Sequence, residues 1–236
     1  FGNLFMAALS DILGSQQEAI RQTGKVLRIH GTVIPVSFTD TNLFATYEDG
    51  HTVSEEHLID EPAHDGRMRI TNVFLKPVAR ANSDAVKAIE SADLIVLGPG
   101  DLYTSVIPNL LVKGIHTAIR HTKAHVVYIV NLMTKYGQTY NFGASEHIRV
   151  LETFIGHSLD SVIINSAPIP KKALDVYAKA HEQAVSDDIS NNKNYRVMRV
   201  DVAGSVLIEH AKSDTLVRSL IRHDSEKLAK VLAALL

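Results

Sequence analysis

Residues 93–105, Asp-Leu-Ile-Val-Leu-Gly-Pro-Gly-Asp-Leu-Tyr-Thr-Ser, decide the fold predicted for this chain. Residues 94–97 are apolar without alternation, which is typical of a strand covered on both faces. Similar runs follow at 126–130 and 161–164, and a fourth strand is predicted over 195–202. Because helical patterns separate these strands, the chain predicts an α/β fold, a Rossmann-like three-layer α/β/α arrangement with a mainly parallel sheet.

The helices predicted between the strands provide the crossovers of this sheet. Ser83 is expected to cap one helix, and others are predicted over 110–120, 146–154, 171–184, 214–221 and 225–236. The first third predicts a helix over 4–13, a short strand at 33–36, a hairpin at 43–52 that turns at Asp49-Gly50, a polar loop at 55–67 and a strand at 68–75. In a parallel sheet, ligands bind beyond the carboxyl ends of the strands, so the loops that follow the strands are the candidate sites.

The composition limits the class of protein. Of 236 residues, 45% are hydrophobic and 21% are charged, and the formal net charge of −2 gives no field that would attract nucleic acid. The absence of cysteine excludes disulfides and thiol nucleophiles, and no apolar run is long enough to cross a membrane. We therefore expect a cytoplasmic protein, without membrane insertion, folded as one domain over 1–236. Because the chain starts at Phe1 inside an amphipathic helix, we also expect that an N-terminal part is missing.

The loop after the first buried strand combines features that suit a phosphate. Gly98 and Gly100 let the backbone approach a ligand closely. Thr104 and Ser105 offer hydroxyl donors, and a helix is predicted to follow, with free N–H groups at its start. Short glycine-rich turns are also common as plain strand-to-helix connections. The residues alone therefore leave both a phosphate cradle and a simple turn open.

Polar side chains also follow the next two strands. Asn131 and Thr134 could contact the sugar or base of a nucleotide, although local turn capping is the commoner role of such residues. Residues 165–168 form a third polar loop at the same edge. The 12 histidines form no His-Glu-x-x-His motif, and Ser105 lacks the Gly-x-Ser-x-Gly context of a hydrolase nucleophile. The edge therefore predicts a binding crevice without catalytic residues.

Residues 98–112, Gly-Pro-Gly-Asp-Leu-Tyr-Thr-Ser-Val-Ile-Pro-Asn-Leu-Leu-Val, resemble the hallmark of the gluconeogenesis factor family (YvcK type), relatives of the CofD 2-phospho-L-lactate transferases. Other segments match this family in the same order along the chain: Gly2-Asn3-Leu4, Glu48-Asp49-Gly50, Asn131-Leu132-Met133-Thr134 with Gly137-Gln138-Thr139, and Ala144-Ser145-Glu146-His147. The resemblance spans nearly the whole chain.

This resemblance implies a CofD-like α/β domain in a cytoplasmic regulatory protein that binds UDP-sugars and supports growth on gluconeogenic carbon sources and cell shape. The family's binding Tyr and Arg fall on Tyr177 and Arg222. A tyrosine ring can stack on a base or sugar, and a guanidinium can chelate a diphosphate. The alternative is a transferase that joins a phospholactyl-type group to a deazaflavin acceptor. The sister transferases lack Leu-Tyr-Thr-Ser after Gly-Pro, which favours the binding protein.

The chain departs from the family pattern in these loops and at its start. Asp101 replaces the usual Ser, and Lys135 and Gln138 replace Gln and Glu. A carboxylate repels phosphates unless it caps the helix or holds Mg²⁺, so Mg²⁺ bound together with a nucleotide is the one cofactor considered. Relatives also begin with a Gly-Gly-Gly-Thr-Gly loop and an Asp-Asp-Gly-Gly segment that are absent here, which agrees with a missing Gly-rich strand, loop and helix.

The predicted partner is a UDP-sugar or another nucleotide, and a homodimer is expected from the prevalence of such assemblies. The predicted ligand- and phosphate-binding residues are Asn3, Gly98, Pro99, Gly100, Asp101, Leu102, Tyr103, Thr104, Ser105, Asn109, Asn131, Met133, Thr134, Gly137, Tyr177 and Arg222.

Overall fold

The computed structural model describes residues 2–190, 194–204 and 220–236. Its strands are β1 (Asn42–Tyr47), β2 (Thr52–Ser54), β3 (Ile70–Lys76), β4 (Leu94–Leu97), β5 (His125–Ile129), β6 (Ser161–Asn165) and β7 (Arg196–Val200). Its α-helices are α1 (Gly2–Leu13), α2 (Gln16–Val26), α3 (Glu56–Asp60), α4 (Ser83–Glu90), α5 (Ile107–Leu111), α6 (Ile115–His121), α7 (Ala144–Ile155), α8 (Lys171–Lys179) and α9 (Ser225–Ala233), and a π-helix covers Leu102–Val106.

A four-stranded parallel sheet carries the fold, as the sequence predicted. Its strands follow one another in chain order, β4-β5-β6-β7, and Tyr128 pairs with Leu97 on one side and with Val162 on the other. Because right-handed crossovers between consecutive parallel strands all fall on one face, helices α5 to α7 cover that face. The α/β class and the parallel sheet are therefore confirmed.

The two faces of the sheet explain why its strands are apolar at every position. Val126 and Tyr128 point into the main core, which they share with Leu151 of α7. Their neighbours Val127 and Ile129 point to the opposite face and pack with Leu228 of α9. Successive strand residues alternate between faces, so a strand between two helical layers needs apolar side chains throughout. The sheet and its two helical layers form the predicted three-layer arrangement.

A smaller antiparallel sheet, in the order β2-β1-β3, extends the main core. Leu43, Tyr47 and Val73 belong to the same buried cluster as the strands of the parallel sheet. The hairpin between β1 and β2 turns at Asp49-Gly50, where Gly50 adopts a φ of +88° that favours glycine. The predicted hairpin is confirmed, and its sheet packs beside the loops at the carboxyl ends of β4 and β5.

The predicted strand at 33–36 is wrong. This segment joins no sheet, because its backbone binds the start of α4: the Asn82 side chain donates to the Pro35 carbonyl at 3.1 Å, and the Asn82 N–H donates to the Val36 carbonyl at 2.8 Å. Asn82 is also the residue that caps α4, by accepting from the N–H of Asp84, so the cap predicted at Ser83 lies one residue earlier.

Further elements differ from the prediction. The helix predicted over 110–120 is divided into α5 and α6, because Gly114 between them has a φ of +111°. The helix predicted over 171–184 ends at Lys179, where the chain turns back toward the sheet. The predicted loop at 55–67 contains the short helix α3. Of the helix predicted over 214–221, residues 214–219 lie outside the described residues, and 220–221 are not helical.

Over the described residues, no helix combines the length and the apolar character needed to cross a membrane.

Candidate functional site

The candidate site lies at the edge of the parallel sheet where the strands end at their carboxyl side. The Gly98 turn follows β4, residues 130–138 follow β5, and residues 166–169 follow β6. The strands are adjacent and parallel, so the three loops share one edge, as the sequence predicted. This edge is the usual ligand position in open α/β sheets.

The Gly98 turn requires glycine for two reasons. Gly98 has a φ of +78°, which disfavours residues with a Cβ. A Cβ at this position would lie 3.1 Å from the carbonyl oxygen of Ile129 in the neighbouring strand. The turn therefore brings the backbone of Gly98 against β5.

Most side chains of the hallmark segment point into the protein. Leu102 and Tyr103 are buried in the main core, and burial raises the pKa of Tyr103 to about 12. Ser105 is exposed, and its carbonyl accepts from Nδ2 of Asn109 at 2.7 Å. Residues 98–101 and the side chains of Ser105 and Asn109 therefore contribute to the surface of this segment.

Charged and amide side chains from four segments converge beside the turn. Nζ of Lys135 lies 3.6 Å from Oδ1 of Asp60. Nε2 of Gln138 donates to the same Asp60 oxygen at 2.9 Å and to Oγ1 of Thr104 at 3.2 Å. We call this group the charge cluster; its members are Asp60, Asp101, Lys135, Gln138 and Glu182.

Electrostatics confirm that these groups act on one another. Burial raises the pKa of the Asp101 carboxyl, and nearby Asp60 raises it further, while Lys135 opposes the shift. Burial also raises the pKa of Glu182. Lys135 and the N–H of Tyr136, which donates to Glu182 at 3.3 Å, oppose that rise. The ammonium group of Lys135 is thus the positive charge beside three carboxyl groups, those of Asp60, Asp101 and Glu182.

The other end of the edge carries Tyr177 and Arg222. The Tyr177 hydroxyl accepts from the N–H groups of Leu220 at 3.0 Å and Ile221 at 3.4 Å, so it holds the backbone just before Arg222. The carbonyl of Arg222 accepts from the Gly204 N–H at 2.8 Å, beyond the carboxyl end of β7. The Arg222 side chain is exposed and forms no ion pair with any described residue. The structure therefore brings the two predicted residues together, with Tyr177 positioning the Arg222 segment.

The loop after β5 joins the two ends of the site. Met133 packs in a buried cluster with Ile221 and Tyr177. Thr134 is buried, and both its N–H, at 2.7 Å, and its hydroxyl, at 3.0 Å, bond the backbone of Gln183. A Cβ on Gly137 would lie 2.5 Å from Cγ of Pro62. Met133, Thr134 and Gly137 therefore have structural contacts that fix this loop.

Asn131 and Asn165 differ although both follow a strand. Oδ1 of Asn165 accepts from the N–H groups of Ala167, Val202 and Ala203, which ties the β6 and β7 loops together. Oδ1 of Asn131 is buried, and no donor among the described residues reaches it. Of these two asparagines, Asn131 is therefore the one whose Oδ1 could accept a hydrogen bond from a ligand. Asn3 lies in α1, which packs against α2.

Sequence reasoning missed Asp60 and Glu182. Asp60 belongs to α3, within a segment predicted as a polar loop, and Glu182 follows the early end of α8. No local signal marked either residue, because both reach the edge only through contacts between segments far apart in the chain. Within the part of the chain that the structure describes, no group of three His, Asp or Glu side chains is arranged to hold a metal ion.

Comparison with known proteins agrees with these features. The family model described as 2-phospho-L-lactate transferase CofD matches residues 1–204. The gluconeogenesis factor of Bacillus subtilis (strain 168) is 35% identical over 237 residues, which cover 100% of this chain and 71% of that protein. A "Putative gluconeogenesis factor" of Aquifex aeolicus is 35% identical over 238 residues, covering 100% of this chain and 70% of that protein.

A solved structure supports the same assignment. The crystal structure of a UPF0052 family member from Bacillus halodurans superposes with a TM-score of 0.86 at 31% sequence identity, covering 98% of this chain and 71% of that one. Both the sequence matches and the fold therefore agree with the resemblance seen in residues 98–112. The chain belongs to the gluconeogenesis factor family of CofD-like proteins.

Proposed function

We propose that this chain is a cytoplasmic regulatory protein that binds a nucleotide sugar, with a UDP-sugar as its ligand, and that it supports growth on gluconeogenic carbon sources and cell shape. The observation that carries the proposal is the exposed Arg222, held by Tyr177 at the carboxyl edge of the sheet. An exposed guanidinium without an ion-pair partner among the described residues suits a diphosphate, which it can bind through two hydrogen bonds.

Two further features support a binding site at this edge. The Gly98 turn brings backbone close to β5 without an intervening side chain, and Asn131 offers a buried oxygen that lacks a donor in the described structure. Gly98, Pro99, Gly100, Asp101 and Ser105 then form one wall of the site, and Asn131 and Arg222 form the other. Leu102, Tyr103, Thr104, Asn109, Met133, Thr134 and Gly137 support these walls through the packing described above.

A thermal-shift panel on the whole chain tests the proposal. A ligand that binds only the folded state adds about 2.7 kcal/mol of stability at ~100 times its Kd. UDP and UDP-N-acetylglucosamine should raise the midpoint, and UDP-N-acetylglucosamine should be recovered unchanged after incubation. A shift produced only by GDP or by a deazaflavin would contradict the proposal.

The second candidate is a transferase, because the family model that matches residues 1–204 is described by the phospholactate transferase activity. It would join a phospholactyl-type group to a deazaflavin acceptor. Incubation with a phospholactyl nucleotide donor and a deazaflavin tests it, and formation of the coupled product would replace the binding proposal.

The proposal includes a homodimer, and it considers Mg²⁺, bound together with the nucleotide, as the one cofactor. Multi-angle light scattering tests the dimer. Titrations with nucleotide in MgCl₂ and in EDTA test the cation, because a Mg²⁺-bridged diphosphate would bind more weakly when Mg²⁺ is removed.

A further inference from the structure

We infer that the charge cluster binds the hydroxyl groups of the sugar and does not bind the diphosphate. This inference rests on the proposed function, because it divides one nucleotide-sugar ligand between two parts of the same edge. Asp101 and Lys135 are the residues that set the specificity for the sugar, and Gln138 completes the set.

The hydrogen-bonding capacity of the cluster carries the argument. Gln138 is only 2% exposed, and its carboxamide lies between Asp60 and Thr104, bonded to both through Nε2. Its Oε1 is buried and accepts from no described donor. The carboxylates beside it are acceptors as well. A diphosphate only accepts hydrogen bonds, so it cannot satisfy any of these atoms, whereas each hydroxyl of a sugar both donates and accepts.

Lys135 supplies the complementary donor. Its Nζ lies 3.6 Å from Oδ1 of Asp60, an ion pair longer than a hydrogen bond, and no described atom accepts a hydrogen bond from it. Three N–H donors of this ammonium are therefore available beside an array of acceptors. Of two adjacent sugar hydroxyls, one can donate to Asp101 or Asp60 while the other accepts from Lys135. A site lined only by carboxylates or only by cations could not form both hydrogen bonds.

Charge points in the same direction. Three carboxyl groups surround one ammonium group, so acidic groups outnumber the cation, which disfavours a dianionic diphosphate. Arg222 at the β7 end is exposed and forms no ion pair with a described residue. The cluster lies beyond β4 and β5, and Arg222 lies beyond β7, two to three strands away. At about 4.8 Å between neighbouring strands, the two regions are roughly 10–14 Å apart. One group of a ligand cannot reach both.

Asp101, Lys135 and Gln138 meet in this cluster through Asp60. The three residues fit one another: Lys135 offsets the charge of Asp101, and the amide of Gln138 donates to Asp60, where a glutamate would repel it. The three residues therefore form one unit, which gives this chain a sugar preference of its own.

Isothermal titration calorimetry of the whole chain with UDP and with UDP-N-acetylglucosamine tests the inference. The variants are Asp101→Ser and Lys135→Gln, and circular dichroism checks that each is folded. The matched controls are Asp93→Ser and Lys123→Gln, which change exposed residues at the opposite end of the sheet. Each site variant should bind UDP-N-acetylglucosamine about tenfold more weakly, as expected for lost hydrogen bonds to a charged group, with the Kd for UDP within about twofold of wild type.

The possible outcomes separate the two proposals. Equal weakening of UDP and UDP-N-acetylglucosamine would overturn the inference, because it would place the diphosphate at the cluster. Unchanged binding of both ligands by the two site variants would also overturn it, while leaving the nucleotide site at Arg222 intact. If wild type binds neither UDP nor UDP-N-acetylglucosamine, the proposed function fails and the inference fails with it.

A third variant guards against a failure to fold. The double change Asp101→Ser and Lys135→Gln removes one carboxyl group together with the ammonium group, so it leaves the formal net charge of the cluster unchanged. It should keep the wild-type Kd for UDP and show a changed order of affinity among UDP-glucose, UDP-galactose and UDP-N-acetylglucosamine. An unchanged order would contradict the assignment of Asp101 and Lys135 to sugar specificity.

Discussion

Replacing Tyr177 with phenylalanine removes one hydroxyl and keeps the ring, which separates the two ways in which this residue could serve a ligand. The hydroxyl accepts from the N–H groups of Leu220 and Ile221. Each such bond contributes about 0.5–1.5 kcal/mol, so the pair holds this segment in place by about 2 kcal/mol. A free-energy difference of ~1.4 kcal/mol changes an equilibrium constant tenfold. Loss of both hydrogen bonds would therefore lower the ratio of correctly positioned to displaced Arg222 by up to about 30-fold.

The apparent Kd rises as the binding-competent fraction falls. We therefore expect Tyr177→Phe to weaken UDP-N-acetylglucosamine by about five- to thirtyfold in calorimetry, and Arg222→Ala to weaken it at least as much while leaving the fold intact. The double variant should bind no more weakly than Arg222→Ala alone, because Tyr177 acts through Arg222. Unchanged affinity in Tyr177→Phe, together with lost affinity in Tyr177→Ala, would refute this reasoning and assign the ring to stacking on the ligand. Unchanged affinity in Arg222→Ala would remove the basis for the diphosphate site.

Three further perturbations test the fold that positions the site. Gly98→Ala should lower the free energy of unfolding in urea by about 2–3 kcal/mol, because it adds a contact with a β5 carbonyl to the strain of a left-handed residue. Gly50→Ala adds only the backbone strain, so it should lower the free energy of unfolding by about 1 kcal/mol. Equal losses in the two variants would contradict a contact between residue 98 and β5. Leu228→Ala in α9 should lower the free energy of unfolding by about 2–4 kcal/mol. Leu236 is 81% exposed, so Leu236→Ala should leave that free energy almost unchanged. Similar losses in both variants would mean that α9 does not cover the sheet. Burial lowers the pKa of His147 below its value in the unfolded chain, about 6.5. Below that pH the unfolded state binds more protons than the folded state. The free energy of unfolding should therefore be highest above about pH 6.5 and should fall as the pH decreases. His147→Gln should make this pH dependence smaller in urea titrations between about pH 7 and 5.

The parallel sheet could be predicted from the sequence because its signal is local to each strand. A strand between two helical layers must carry apolar side chains at successive positions. The central residues of β5 and β6 have this pattern. Residues 33–36 carry a similar signal but form no strand, since pairing depends on a neighbouring strand and here the start of α4 binds the backbone instead. The division of α5 from α6 had a visible marker in Gly114, yet glycine alone does not determine whether a helix continues.

The candidate site was only partly predictable for a related reason. The order of strands and helices predicts which loops share the carboxyl edge, so the Gly98 turn and Asn131 could be named in advance. The charge cluster joins residues 60, 101, 135 and 182, which come from four segments far apart in the chain. No spacing rule connects such positions, and only the packing of α3 and of the residues after α8 against the loops brings them together.

The hallmark segment also shows why a family motif and a list of ligand contacts differ. Leu102 and Tyr103 are buried in the core, and Thr104 holds the Gln138 amide. These side chains are needed for a specific backbone, so a motif can be specific to a family without touching the ligand. Their packing fixes the position of residue 101 at the edge of the sheet. We infer that ligand preference is set at residue 101 and at Lys135 beside it, while this frame stays unchanged. Specificity in this fold should therefore be sought at the exposed positions that the motif holds in place, more than in the motif's own buried side chains.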